Sequence, residues 1–283
     1  MNLIKSVVAI AMLSIILILP VPKTALKSDE IENQNKFSNP PEIEAKSALV
    51  VDLVNEKILF EKNSNESLPL ASLTKIISSL VVIDHIDLNE YIKVTRNAIL
   101  TEGPSTLKVS EHFKVIDLLA LSMGESSNDA MMALVEHLGD ESWFLELMRK
   151  RAEELGASQM NFLNPTGLDL KKEQDSLPVS PSNLGSAQDL WQIIKNSIDS
   201  PIWQMGDKNE VVSKEGITHK ISHTNVLKYN PEISGSKTGF TDLAGGNLIL
   251  IVEKPLLHPK LIIILGSSLD GRFSDAQKLL DWI

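Results

Sequence analysis

Two kinds of hydrophobic pattern divide this chain, and their order along it constrains the fold more than any other feature. The segment SALVVDLVNEKILFEKN, from Ser47, reads as two short strands joined at Asn55-Glu56. Far downstream, Asn247–Glu253 and Lys260–Gly266 are Ile/Leu/Val runs bounded by Gly and Pro, the composition of core strands. Between them the apolar residues fall at helical spacing. Helices are expected over Leu73–Ile86, largely buried, then Val115–Met123, Asp129–Leu138, Glu141–Leu155 and Ala187–Ile198. Ser274–Trp282 reads as a closing helix with Ser274 as its N-cap. Strands at both ends with helices between them predict an α+β fold, in which the two ends share one sheet and a mostly helical lobe is inserted.

The 283 residues, 43% hydrophobic and 23% charged, can bury a full core as one large domain or two small ones. A formal charge of −10 repels polyanions, so nucleic acid is not an expected partner. Cysteine is absent, which removes disulfides, thiolate metal sites, a cysteine nucleophile and a lipidated N-terminal cysteine. Covalent chemistry must then use Ser, Thr, Lys or a carboxylate. No cofactor or metal is expected, since none of the six histidines forms His-Glu-x-x-His or another paired ligand spacing. His85 and His137 fall in apolar helices and read as partly buried packing residues. His219 and His223 are four apart, but in a segment that does not read as helix.

Residues 1–22 carry Lys5 ahead of an almost unbroken apolar run from Ser6 to Pro22, an export signal. The run is 17 residues, between a signal-peptide core and the roughly 20 needed to span a bilayer. Lys23-Thr24-Ala25 is a poor cleavage site, which tilts the choice between signal peptide and signal anchor towards the anchor. Residues 23–46 are polar and without periodicity, a flexible linker, and the folded domain is expected over 47–283. Membrane contact would run through the N-terminal segment. The expected location is outside the cytoplasm, at the outer face of the cytoplasmic membrane or in the periplasm or cell wall.

Without cysteine, the search turns to a serine with a base one helical turn away. Ser-x-x-Lys occurs at Ser72/Lys75, Ser105/Lys108 and Ser234/Lys237, and about one such match is expected by chance. Only Ser72 opens a strongly apolar helix. There the Lys75 amine shares a face with the Ser72 hydroxyl, and the helix N-terminus directs N–H groups at developing negative charge. Taken alone, Ser72 reads more readily as a simple N-cap. Two further patterns change that weighing. Gly124-Glu125-Ser126-Ser127-Asn128-Asp129 joins two expected helices and contains Ser126-x-Asn128; alone it would be a polar turn capping the next helix. Lys237-Thr238-Gly239, just ahead of the core strands, would otherwise be a solvated edge lysine and a turn.

Ser-x-x-Lys, Ser-x-Asn and Lys-Thr-Gly in that order resemble the motif set of the penicillin-binding proteins and serine β-lactamases. The blocks ALVVDLVNEKILFEKNSNESLPLASLTKIISSLVV, GESSNDAMMALVEHLG, NFLNPTGLD and GSKTGFTDLAGGNLI narrow the resemblance to the low-molecular-mass D-alanyl-D-alanine carboxypeptidases, the S11 peptidases. The resemblance runs from about Ser47 to the last residue. It implies a β-lactamase/transpeptidase-like fold, an antiparallel sheet flanked by helices. By the same resemblance Ser72 attacks the carbonyl between the terminal D-alanines of a peptidoglycan stem peptide, and water hydrolyses the acyl-enzyme. Lys75 is the base, made neutral by burial and by the charge of Lys237. Ser126 relays a proton to the departing amine, and Asn128 orders Lys75 and the substrate amide. Lys237, Thr238, Gly239 and Phe240 bind substrate: the N–H groups of Ser72 and Phe240 form the oxyanion hole, and Thr238 meets the free carboxylate. GRFSDAQKLLDW matches the family segment with a carboxylate-binding arginine, which points to Arg272. Asn164-Pro165-Thr166-Gly167 matches a family turn with a structural role.

Neighbouring families fit less well. A class A β-lactamase needs Glu-x-x-Leu-Asn, but Met160 stands where the Glu would be, so β-lactams are expected to acylate Ser72 and persist. No Gly-x-Ser-x-Gly elbow of an α/β-hydrolase is present. A D,D-endopeptidase of the same family would use the same machinery on crosslinks. A non-catalytic wall-binding or penicillin-sensing protein would keep the fold. Two further expectations follow from the resemblance: no room for a C-terminal β-domain, and a more flexible site edge at Gly245-Gly246-Asn247, where relatives often carry bulkier residues.

Overall fold

The computed structural model describes residues 39–103, 106–171, 178–181 and 183–283. The apolar run Ser6–Pro22, most of the expected linker and Ser105 lie outside the described residues. The expected strands form as β1 (Ser47–Asp52) and β2 (Lys57–Lys62), joined through Glu56 at φ 54°. The distal runs form β4 (Gly245–Glu253) and β5 (Pro259–Ser267), and the Lys237-Thr238-Gly239 segment ahead of them, not expected as a core strand, forms β3 (Ile233–Thr241). All five make one antiparallel sheet in the order β3-β4-β5-β1-β2, with Val50 opposite Ile262 and Ile249 opposite Ile263. Both ends of the folded region thus share a sheet.

These strands read as continuous apolar runs because both faces of the sheet are covered. Alternate residues go to opposite sides. Leu49, Val51, Ile249, Ile251 and Ile263 face the helical lobe, whereas Ala48, Val50, Leu248, Leu250, Ile262 and Ile264 pack on Ala276, Leu279 and Leu280 of the last helix. Full burial of each large aliphatic side chain contributes roughly 1.5–3 kcal/mol.

The helices are α1 (Lys75–His85), α2 (Val115–Gly124), α3 (Asn128–Leu138), α4 (Glu141–Glu154), α5 (Ala187–Lys195), the short α6 (Ile202–Met205) and α7 (Gly271–Trp282). Three boundaries differ from expectation. The first helix is preceded by a 3-10 turn, Ala71–Thr74, with Ala71 at φ 48°, so Ser72 sits in a tight turn and Lys75 opens the helix. The closing helix begins at Gly271 with Asp270 at the N-cap position; Ser274 is inside it and its hydroxyl donates to the Gly271 carbonyl. Part of the expected linker is packed: Ala45 is buried, and the Glu44 and Ala45 N–H groups donate to the Asp275 carboxylate at 3.0 and 2.9 Å.

The Gly245-Gly246-Asn247 edge is tight where flexibility was expected. A Cβ on Gly246 would lie 2.1 Å from the Ser268 carbonyl oxygen and 3.2 Å from Arg272 Cδ. Asn247 is fully buried, donates to the Pro69 carbonyl at 2.9 Å and accepts the Gly266 N–H at 2.8 Å. Small residues occur there because another backbone approaches closely. His85 and His137 are exposed at their helix ends, contrary to the packing role expected of them.

Candidate active site

The turn carrying Ser72 is pressed between two backbones. Gly167, at φ 85°, lies so close that a Cβ would fall 1.8 Å from the Ala71 carbonyl oxygen. On the other side a Cβ on Gly239 would lie 3.0 Å from the Leu70 oxygen and 3.2 Å from the Ser72 nitrogen. Strand β3 therefore runs directly past the N–H of Ser72. Lys75 Nζ stands 2.9 Å from Ser72 Oγ and 2.9 Å from the Thr166 carbonyl oxygen. The lysine is 0% exposed. Burial, and then the charge of Lys237, hold its pKa well below the ordinary lysine value.

The second motif folds as a connector between α2 and α3. Ser127, not Ser126, caps α3, accepting from the Ala130 N–H at 3.2 Å. Ser126 is left at φ 64°, a conformation that a non-glycine residue keeps only when its surroundings enforce it. Its hydroxyl accepts from Lys237 Nζ at 2.8 Å. Lys237 is 1% exposed, and burial followed by the charge of Arg272 brings its pKa down to about 7. Of the Ser-x-x-Lys pairs, Ser234/Lys237 is no dyad, since both residues lie within β3 and the amine reaches Ser126.

One assigned contact differs from expectation, that of Asn128. Asn128 Nδ2 donates to the Glu102 carbonyl at 2.5 Å, and Lys75 is held by Ser72 and Thr166 instead. Asn128 Oδ1 is buried with no hydrogen-bond partner among the described residues. Arg272, expected on the substrate carboxylate, is 7% exposed and donates through Nη1 to the Gly239 carbonyl at 2.7 Å, its guanidinium over the Phe273 ring. Gly246 creates the room in which that stem packs. Thr238 instead has a hydroxyl neighbour that sequence reasoning missed, Thr224, with the two oxygens 2.5 Å apart. Phe240 is 44% exposed beside a cleft of about 250 Å³ that Glu102, Asp169, Lys171 and Asp242 also line.

A hydroxyl beside a buried amine that resists protonation, together with a second hydroxyl on a second buried lysine whose charge acts on the first, is the arrangement of an active-serine hydrolase of the Ser-Lys type. The profile of the S11 peptidase family, described as D-alanyl-D-alanine carboxypeptidase, matches residues 33–258. The chain is 30% identical over 260 residues to the D-alanyl-D-alanine endopeptidase of Escherichia coli K12, covering 86% of this chain and 78% of that one. It is 28% identical over 250 residues to the D-alanyl-D-alanine carboxypeptidase DacF of Bacillus subtilis 168, covering 84% of this chain but 62% of that one. Among solved structures, ampicillin-bound penicillin-binding protein D2 from Listeria monocytogenes superposes with a TM-score of 0.72 at 26% identity, over 86% of this chain and 99% of that one. The chain belongs to the S11 peptidase family and has the α+β fold of the penicillin-binding proteins.

Proposed function

We propose that the protein is a serine-type D-Ala-D-Ala carboxypeptidase that removes the terminal D-alanine from peptidoglycan stem pentapeptides. The observation that carries this reading is the buried Lys75 amine 2.9 Å from Ser72 Oγ. Neutral Lys75 takes the hydroxyl proton as Ser72 Oγ bonds to the carbonyl carbon between the two D-alanines. The oxyanion is held by the N–H groups of Ser72 and Phe240, which the close approach at Gly239 brings onto neighbouring segments. As the C–N bond breaks, Ser126 hands its proton to the departing amine and is resupplied through Lys237. Asn128 Oδ1 accepts the N–H of the substrate amide. The Thr238 and Thr224 hydroxyls meet the terminal carboxylate, while Arg272 braces β3 through Gly239 and depresses the Lys237 pKa. Water then releases the acyl-enzyme. β-Lactams acylate the same serine and persist, in keeping with Met160 standing in place of the deacylating glutamate.

The same machinery can cleave crosslinks, and the E. coli endopeptidase relative supports that second reading. Both reactions take place on the cell wall, with export directed by residues 1–22. Among the described residues no helix is long and apolar enough to cross a membrane; the apolar run Ser6–Pro22 is the segment we read as the membrane contact. Labelling of the purified protein with a fluorescent penicillin, alongside Ser72→Ala, tests the reading. Covalent label on the wild type alone is expected; equal labelling of Ser72→Ala overturns the assignment of Ser72 and moves the nucleophile elsewhere, and an unlabelled wild type overturns the reading and favours a non-catalytic wall-binding role.

A further inference from the structure

We propose that Asn183 is a positioning residue for the Ser72/Lys75 pair, an inference that rests on reading Ser72 as the nucleophile. Asn183 touches no reacting atom and is 1% exposed. Its Oδ1 accepts the N–H groups of Leu163 and Asn164 at 2.7 and 3.3 Å, and its Nδ2 donates to Thr74 Oγ1 and the Asn164 carbonyl at 2.9 and 2.8 Å. Two acceptor and two donor sites are the whole capacity of a side-chain amide. Its main-chain carbonyl also accepts the Leu70 N–H at 3.0 Å. One buried residue therefore binds Leu70 at the entrance to the nucleophile turn, the turn itself at Thr74, and the start of the Asn164–Gly167 turn.

That last turn is in turn fixed by Asn164, whose Oδ1 accepts the N–H groups of Thr166 and Gly167 at 3.1 and 2.7 Å. The Thr166 carbonyl then meets Lys75 Nζ at 2.9 Å. A neutral amine has two N–H donors and one lone pair. With one N–H directed at the Thr166 oxygen, the lone pair is confined to the directions that include Ser72 Oγ. Asn183 thus sets the distance between Thr74 and Asn164, Asn164 sets the direction of the Thr166 carbonyl, and that carbonyl aims the base. A lone pair that wanders from Ser72 lowers the rate of acylation without weakening the initial encounter with substrate.

The test is stopped-flow acylation by a fluorescent penicillin over a range of concentrations, which separates the limiting acylation rate from the dissociation constant of the encounter complex. Asn183→Ala is expected to lower the limiting rate at least tenfold, with the dissociation constant within threefold of wild type. Thr74→Val, which removes a single acceptor and keeps the shape, is expected to lower the same rate at least threefold; it decides the matter if Asn183→Ala does not fold, as judged by circular dichroism. A purely structural role would reduce the fraction that labels and the melting temperature, and leave the rate of each folded molecule unchanged. Wild-type limiting rates in the folded variants, or a loss confined to the dissociation constant, overturn the proposal. Ser72→Ala run in parallel tests the underlying reading separately: if it labels, the nucleophile assignment fails, whatever the Asn183 variants do.

Discussion

Gly167→Ala probes how tightly the turn that carries Ser72 is held. The added Cβ would sit 1.8 Å from the Ala71 carbonyl oxygen, 2.4 Å from its carbon and 2.9 Å from Thr74 Oγ1, at φ 85°. The left-handed conformation costs a non-glycine residue roughly 1–2 kcal/mol. Driving a methyl into packed backbone costs about 1–3 kcal/mol more, for a total of about 2–5 kcal/mol. In a domain of this size each kcal/mol lowers Tm by about 2–4 °C, so a fall of about 4–20 °C is expected in a calorimetric or dichroism melt. Relief of the clash moves the Ala71–Thr74 turn away from the Thr166 carbonyl. A displacement of about 1 Å between Lys75 and Ser72 lowers the acylation rate by up to about 10²-fold. A variant that melts within about 2 °C of wild type and acylates at the wild-type rate would refute the claim that the two turns are locked together.

Stability should respond to pH through Lys237. Its pKa is about 7 when folded against an ordinary value of 10.5, so between those values the unfolded chain binds a proton that the folded chain does not. Its contribution therefore rises with pH across that window and is a constant penalty below it, and Lys75 acts with the same sign. Urea unfolding between pH 7 and 10 should show a shallower rise for Lys237→Met. Ser126→Ala should stay folded yet acylate about 10²–10⁴-fold more slowly, as loss of a general acid predicts, in the penicillin assay. Asn247→Ala leaves the Pro69 carbonyl and the Gly266 N–H without their partner, about 1–3 kcal/mol for each group; chemical denaturation should show the loss, with the secondary structure retained.

Four of the five sheet strands and the order of helices were legible locally, the strands as short β-branched and aliphatic runs and the lobe by its period of 3.6; β3 was not, because its Gly, Ser, Lys and Thr residues make no apolar run. The three motifs were legible as a set, and so was the depressed Lys75 pKa, since it needs only burial and a second lysine. The environment of Arg272 was not. Its position depends on Gly246 giving up volume to the stem, a contact between residues distant in sequence. The partners of Asn128 and the Thr224/Thr238 pair are likewise set by loops from separate segments, as is Asn183, whose segment has no periodicity to mark it. Ser127 as the cap of α3 could have been read, because a serine directly before Asn128-Asp129 suits an N-cap; the neighbouring motif drew attention to Ser126 instead.

The central claim is that Ser72, activated by Lys75, removes one D-alanine. Mass spectrometry of muropeptides after incubation with the purified protein tests it most directly. Pentapeptides are expected to be converted to tetrapeptides with loss of a single D-alanine, with no conversion by Ser72→Ala. Unchanged pentapeptides alongside dimers cut to monomers would contradict that claim and assign the chain to endopeptidase action.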